Sequence, residues 1–258
     1  MTDVKPSGPS VTPVAPTRAP APPLSRRLLA ETLGTALLVT VVVGSGIAAQ
    51  QLSPGQVGLQ LLENSLATTL GLAVLILLFG PVSGAHFNPV VSAADWLLGR
   101  ARGHGLPPAD VAAYTLAQTA GAIAGAVLAN AMYDLSAVQI SGHHRVTTGV
   151  LIGEVVATAG LIALIFALAR TGRAALSAAS VGAYIGAAYW FTSSTSFANP
   201  AVTVGRIFSD TFAGIAPSSV APFVAAQLVG AALGAALVLA LHPDAGATAD
   251  DVVTPHLP

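Results

Sequence analysis

The sequence predicts an all-α membrane protein with six transmembrane helices and two shorter re-entrant half-helices, arranged as an inverted 3+3 internal repeat. Three observations predict this fold: the composition, six long apolar runs and two Asn-Pro tripeptides. Apolar residues make up 53% of the chain and charged residues only 8%. Soluble domains carry about 25% charged residues, so this composition indicates a multi-pass membrane protein.

Six apolar runs are long enough to cross a bilayer, which takes about 20 helical residues. They cover residues 28–50, 57–79, 111–133, 146–168, 174–191 and 222–241. Within them, small residues recur four positions apart, as in Gly121/Gly125 and Gly230/Gly234. Because such spacing lets helix backbones approach closely, we expect these runs to pack against one another inside the membrane.

Two tripeptides, Asn88-Pro89-Val90 and Asn199-Pro200-Ala201, each open a shorter apolar stretch. Asn is a preferred helix N-cap, and Pro is suited to the first helical position. A helix of about eleven residues is roughly 16 Å long, about half of the hydrocarbon core. We therefore expect two half-helices of this length that meet at the midplane, with their positive ends facing each other.

The chain is an internal duplication. Three landmarks occur in the same order in both halves: Glu31 and Glu154, Asn88 and Asn199, and the segments AQTAGAIAGA (117–126) and AQLVGAALGA (226–235). Since each half contains three spans, an odd number, the second half is inverted relative to the first. The half-helices therefore enter the membrane from opposite faces.

The basic residues predict the orientation and the domain organisation. With a cytoplasmic N-terminus, eight basic residues lie inside and only Arg145 and Arg206 outside, as the positive-inside rule favours. Residues 1–24 are proline-rich and predict a disordered cytoplasmic tail, and residues 243–258 predict a flexible acidic one. Between them we expect one channel domain, residues 25–242, with repeats over about 25–133 and 146–242. A bacterial-type plasma membrane is the expected location.

Several classes of function are excluded or disfavoured. The chain contains no Cys, which excludes disulfides, thiolate metal sites and Cys nucleophiles. It has no phosphate-binding glycine loop and no GxSxG motif, so we expect no enzyme and no cofactor. His143 and His144 lack further ligands at metal-binding spacing, so no metal is expected. No basic run is suited to nucleic acid.

Four features carry a family resemblance: the two Asn-Pro boxes, the SGAHFNP motif, the paired Glu31 and Glu154, and the repeat-related Gln118 and Gln227. In these features the chain resembles the major intrinsic proteins, the aquaporins and aquaglyceroporins. The resemblance covers residues 28–241. It implies a narrow channel for small neutral solutes, assembled as a homotetramer in which each subunit has its own pore. The sequence of residues 191–217 is similar to the sequences of a bacterial branch of this family that is associated with arsenic resistance.

The resemblance also places an outer constriction, and there the chain departs from the family. The usual Arg, three residues after the second Asn, is replaced by Val202. Counting from the two Asn residues places the other positions at Thr68, Ala187 and Ser196. These residues are small and uncharged, so we expect a wide constriction without Arg. Arg206, one helical turn further out, is either a cationic vestibule residue or an interfacial Arg paired with Asp210 or lipid.

Three further sites have expected roles. Symmetry and the resemblance suggest that Glu31 and Glu154 are structural acids that hydrogen-bond the backbone leading into each half-helix. His86 either lines the pore or anchors its loop. Val90, where the family usually has Ala, is expected to pack against a span rather than line the lumen.

The predicted function is passive permeation of small neutral solutes, such as water, glycerol-like molecules, arsenite or methylated arsenicals. The two Asn side chains are expected to present amide donors to the solute while the positive helix ends repel protons and cations. The alternatives are a strict water channel and, less favoured, a secondary transporter or a non-conducting structural protein.

Overall fold

The structure is a computed structural model, and it describes residues 22–100 and 103–243. The predicted tails fall almost wholly outside the described residues. The helices are α1 (Leu24–Leu52), α2 (Val57–Ser83), α3 (Pro89–Gly99), α4 (Pro108–Met132), α5 (Thr148–Arg170), α6 (Ser177–Phe191), α7 (Pro200–Gly205) and α8 (Pro217–Leu241). Short 3₁₀ turns precede α6 (Ala174–Leu176) and follow α7 (Arg206–Phe208). Within the described residues, six helices are long and apolar enough to span a membrane, as predicted.

The two repeats pack in the same way. In the first repeat α4 lies along α1, and in the second α8 lies along α5. A Cβ atom at Gly121 or Gly125 would sit only 2.3 Å or 2.1 Å from the carbonyl oxygen of Thr32 or Ala36. At Gly230 and Gly234 it would sit 2.5 Å from the backbone oxygens of the equivalent α5 residues. The glycines are therefore required for the close contact between these helices.

Large apolar side chains cover the outside of the bundle. On α2 they form an outward-facing stripe of exposed residues: Leu62, Leu66, Leu70, Val74, Leu77 and Leu78. Burial against other helices instead selects small residues and a few polar side chains on the inner faces. Hydrocarbon solvates apolar side chains well, so this outward stripe suits a lipid environment.

The half-helices α3 and α7 lie in the middle of the bundle. Helix α3 has 11 residues, the predicted length. Helix α7 has only 6 before it tightens into the 3₁₀ turn, so the second half-helix is shorter than predicted. The backbone carbonyls at this end accept hydrogen bonds from loop residues. Ile207 O accepts from Ser141 N at 2.8 Å, and Arg206 O accepts from Ile215 N at 3.3 Å.

Candidate functional site

Asn88 and Asn199 cap the two half-helices. The Oδ1 atom of Asn88 accepts a hydrogen bond from Val90 N at 3.1 Å. The Oδ1 atom of Asn199 accepts from Ala201 N at 3.0 Å and from Val202 N at 3.2 Å. The first helical residue in each case is Pro, which has no N–H to satisfy. Each carboxamide oxygen is therefore committed to a helix N-terminus.

The amide nitrogens of the same two residues tie the half-helices to each other. Asn88 Nδ2 donates to Ala198 O at 2.8 Å, and Asn199 Nδ2 donates to Phe87 O at 2.7 Å. The two hydrogen bonds are equivalent in the two repeats, because each Asn donates to the carbonyl of the residue that precedes the other Asn in the sequence. An amide nitrogen has two hydrogens, so each Asn keeps one donor for a solute in the lumen.

The loops leading into the half-helices share an unusual backbone. Left-handed φ values occur at equivalent positions in both: Gly84 (86°) and Thr195 (60°), Ala85 (49°) and Ser196 (52°), Phe87 (50°) and Ala198 (47°). Five of these six residues are not glycine. The left-handed conformation costs an L-residue about 1–2 kcal/mol, so surrounding contacts must hold the loops in place.

Glu31 supplies those contacts in the first repeat. Its Oε1 atom accepts from Ser83 Oγ at 2.6 Å and His86 N at 3.0 Å. Its Oε2 atom accepts from Phe87 N and Gln118 Nε2, both at 2.7 Å. The side chain is fully buried. This buried carboxylate therefore satisfies the amides of a loop that has no regular secondary structure.

Glu154 has the equivalent position in the second repeat. Its carboxylate accepts from Phe197 N and Ala198 N, each at 2.9 Å, and from Gln227 Nε2 at 2.6 Å. The same pair of loop amides is bound in both repeats. The two acids therefore hold the strained loops rather than face the lumen, and neither of them lines the main cavity described next.

A cavity of about 380 Å³, called the main cavity below, runs between the half-helices and the long helices. One wall is apolar and includes Leu38, Val42, Leu72, Ile76, Leu161, Ile165, Val181 and Ile185. The other contains the loop residues of both repeats together with Asn88 and Asn199. The lumen is therefore amphipathic, with hydrogen-bonding groups along one side.

Three of the four predicted constriction residues line this cavity: Thr68, Ser196 and Val202. Ala187 does not, because it lies on the exposed outer face of α6. Tyr189, two residues further along α6, lines the cavity, and its hydroxyl lies 3.2 Å from Thr68 Oγ1. Counting back from Asn199 failed because a seven-residue irregular loop separates it from α6. The stripe Val181, Ile185, Tyr189, spaced by four, was the signal that could have identified the residue.

The structure corrects the interfacial interpretation of Arg206. The side chain is only 3% exposed, which excludes a lipid-facing position. It forms no ion pair with Asp210, whose Oδ1 accepts from Gly142 N at 2.8 Å. The chain becomes extended at Ser209, so Asp210 is not one helical turn away. Arg206 instead lines the main cavity, together with Thr68, Ser196 and Val202.

A second cavity of about 420 Å³, called the vestibule below, shares Arg206 with the lining of the main cavity. Its lining includes four basic side chains, His143, His144, Arg145 and Arg206, and no acidic one. Arg206 is the residue that lines both the vestibule and the main cavity. Arg206 therefore belongs to the wall between the two spaces.

The remaining predicted residues divide between lumen and packing. His86 lines the main cavity and is also anchored, with Nδ1 3.0 Å from Ser92 Oγ. Its Nε2 atom is buried without a partner among the described residues. Val90 is buried outside the cavity lining, whereas its neighbour Val91 lines it. Pro89, Pro200 and Ala201 likewise start the half-helices without lining the cavity.

Comparison with known proteins identifies the family. The model of the family described as "Major intrinsic protein" matches residues 19–196. The chain belongs to the major intrinsic protein family. This major intrinsic protein is 49% identical over 215 residues to the aquaglyceroporin AqpS of Rhizobium meliloti, which covers 83% of the chain and 89% of that relative.

Two further relatives agree with this assignment. A glycerol uptake facilitator protein of Pseudomonas aeruginosa is 32% identical over 278 aligned positions, which cover 91% of the chain and 96% of that protein. The X-ray structure of the aquaglyceroporin from Plasmodium falciparum shares the fold, with a TM-score of 0.61 and 21% identity over 84% of this chain and 96% of the other. As a major intrinsic protein, the chain is a membrane channel for small neutral solutes and not an enzyme.

Proposed function

We propose that this channel passes glycerol-like polyols and the neutral metalloid acid arsenite, with methylated arsenicals as further candidates. The observation that carries the proposal is the amphipathic main cavity. A polyol or As(OH)₃ has several hydroxyl groups that match the Asn88 and Asn199 amides and the polar loops. The opposite apolar wall accommodates the hydrocarbon side of a polyol. The aquaglyceroporin and glycerol facilitator names of the relatives support the same solute class.

Ion exclusion follows from the two half-helices. Their N-termini place two partial positive charges at the middle of the lumen, and Arg206 adds a full one. Within the described residues, no carboxylate lines the main cavity. A cation passing through would lose water and meet only positive potential, whereas a neutral solute can accept hydrogen bonds.

A strict water channel is the second candidate, because Tyr189 and Arg206 line the cavity at the constriction. A bulky aromatic and a guanidinium narrow a lumen and favour small hydrogen-bonding solutes. The relative permeability of glycerol and water decides between the two candidates.

The expected result is downhill, nonsaturating glycerol and arsenite flux in proteoliposomes, measured by stopped-flow light scattering beside water and urea. Ile185→Trp should abolish flux, because Ile185 lines the cavity. Ala187→Trp on the outer face of the same helix is the matched control and should conduct like the parent. Water flux without glycerol flux would indicate a strict water channel. Ion-coupled uptake would indicate a secondary transporter, and absence of all flux a structural role.

Mercuric chloride is expected to leave this flux unchanged. Mercurials block channels by capping a thiol near the pore, and this sequence contains no Cys. The measurement compares flux before mercuric chloride, after it, and after addition of excess thiol. Val202→Cys is the positive control, since it places a thiol in the main cavity. Thiol-reversible block of the parent would contradict the prediction.

We also propose a plasma-membrane location, cytoplasmic termini and a homotetramer with one pore per subunit. Six crossings return the chain to the face on which α1 begins. The basic residues Arg26, Arg27, Arg100, Arg170 and Arg173 then lie on one side, which the positive-inside rule makes cytoplasmic. In this orientation α3 enters from the cytoplasm, and the vestibule opens outside.

A further inference from the structure

Arg206 occupies the junction of the two cavities. We infer that it is the specificity-determining cation of this pore, supplied from one helical turn beyond Val202, the position where the family resemblance expects an Arg. This inference rests on the proposed function, because it concerns which neutral solutes pass. It assigns to Arg206 the selection between water and polyols and part of the exclusion of cations.

Contacts on one edge of the Arg206 side chain hold it in place. Its guanidinium carbon lies 3.4 Å from the centre of the buried Phe197 ring, a stacked cation–π arrangement. Its Nε atom donates to Ala213 O. The backbone carbonyl of Arg206 accepts from Ile215 N, so both ends of the residue are tied to the 209–216 segment. That segment packs closely on α1, where a Cβ at Gly46 would lie 3.3 Å from Ala213 Cβ.

The other edge of the guanidinium is free. Within the described residues, the two terminal nitrogens of Arg206 have no hydrogen-bond partner and the side chain forms no ion pair. Because Arg206 lines both the main cavity and the vestibule, this edge borders the path between them. Arg145 does not have this freedom, since its Nε and Nη2 atoms donate to Gly214 O and Phe212 O at 2.6 and 2.7 Å.

Uncharged hydroxyl groups complete the junction. Ser196 Oγ is buried without a partner in the described part of the chain, and Ser196 lines the same cavity. The Tyr189 and Thr68 hydroxyls, 3.2 Å apart, line it as well. A hydroxyl-bearing solute at the junction can therefore accept from the free edge of Arg206. A guanidinium presents a fixed fork of donors, so it also limits the width of solute that can pass.

The location explains how Val202 is tolerated. Positions 202 and 206 are one turn apart, about 5–6 Å along a helix axis. Arg206 and Val202 line the same cavity, and Val202 contributes only a small apolar side chain there. The pore thus keeps a cation at its constriction although the usual position has lost one.

The test compares Arg206→Ala with the parent and with Arg173→Leu, which removes an exposed charge outside both cavities. Folding is checked by size-exclusion chromatography, and flux by light scattering and pH- or sodium-sensitive dyes in proteoliposomes. Arg206→Ala should raise the glycerol-to-water permeability ratio about three- to tenfold, the size expected when one hydrogen bond of ordinary net strength is removed. Proton or sodium leak should rise as well, and Arg173→Leu should match the parent in both.

The double variant Val202→Arg/Arg206→Ala returns the cation to the inner position and should restore the parental ratio and leak. A folded Arg206→Ala with the parental ratio and leak would overturn the inference. If Arg206→Ala does not fold, Arg206→Lys decides: it should keep cation exclusion but shift the ratio, and a parental ratio would overturn the inference. A parent without any glycerol flux would instead contradict the proposed function, so the two failures are distinguishable.

Discussion

Asn199→Asp is expected to raise proton or sodium conductance more than tenfold while the protein still folds. The carboxylate can keep the cap, because Asn199 already uses Oδ1 to accept from Ala201 N and Val202 N. It places a negative charge between two positive helix ends. A unit charge about 10 Å from a passing cation, at an effective dielectric constant of about 20, contributes about 2 kcal/mol, or more than tenfold in permeability.

The same substitution also removes a donor. Asn199 Nδ2 binds Phe87 O at 2.7 Å, and an aspartate oxygen would repel that carbonyl. We therefore expect a lower melting temperature in detergent beside the increased leak. Asn130→Asp is the matched control, since Asn130 Nδ2 also donates to a backbone carbonyl, Phe208 O at 2.8 Å, but Asn130 lies outside the main cavity. The control should lose stability without gaining conductance.

The measurement uses vesicles that contain a pH- or sodium-sensitive dye, with a membrane potential imposed by potassium and valinomycin. Glycerol flux measured in the same preparation confirms that the pore is intact. A folded, glycerol-conducting Asn199→Asp that leaks no more than the parent would show that the paired helix ends do not set the cation barrier.

Glu31→Gln is expected to cause the largest loss of stability among isosteric changes. Four donors converge on the Glu31 carboxylate, two on each oxygen. An amide has only one acceptor oxygen, so its NH₂ group must face one pair of donors. Gln118 can flip and offer its own oxygen, which has no partner in the described residues. The backbone N–H groups of His86 and Phe87 cannot change in this way, so one of them is left unsatisfied in either orientation of the amide.

A buried donor without a partner costs about 1–3 kcal/mol. Here the loss also releases a loop with left-handed Ala85 and Phe87, whose backbone the carboxylate holds in place. We expect a lower melting temperature and a reduced yield of folded protein, measured by thermal aggregation and size-exclusion chromatography in detergent. Glu63→Gln is the control, because Glu63 accepts a single side-chain hydrogen bond, from Ser53 Oγ at 2.7 Å. Equal stability of the two variants would contradict the structural role of Glu31.

The sequence by itself determined the six spans, the two capped half-helices and the internal duplication. These features depend on local properties: the length of apolar runs, the capping chemistry of Asn-Pro, and glycines four residues apart. The residues at the middle of the lumen could be predicted for the same reason. Asn88 and Asn199 could be placed at the N-termini of the half-helices from the sequence alone, because an N-cap residue lies at the start of its helix.

Which side chains line the cavity near Val202 was decided only by the tertiary structure. Tyr189 rather than Ala187 faces the lumen, because the left-handed residues between α6 and α7 break the regular spacing on which counting relies. Arg206 is buried at the pore because the helix tightens after Gly205 and the distant residues Phe197, Ala213 and Ile215 hold the side chain and backbone. Local spacing placed Arg206 one turn beyond Val202, but these contacts join residues far apart in the chain, so the sequence left open whether its side chain lines the pore.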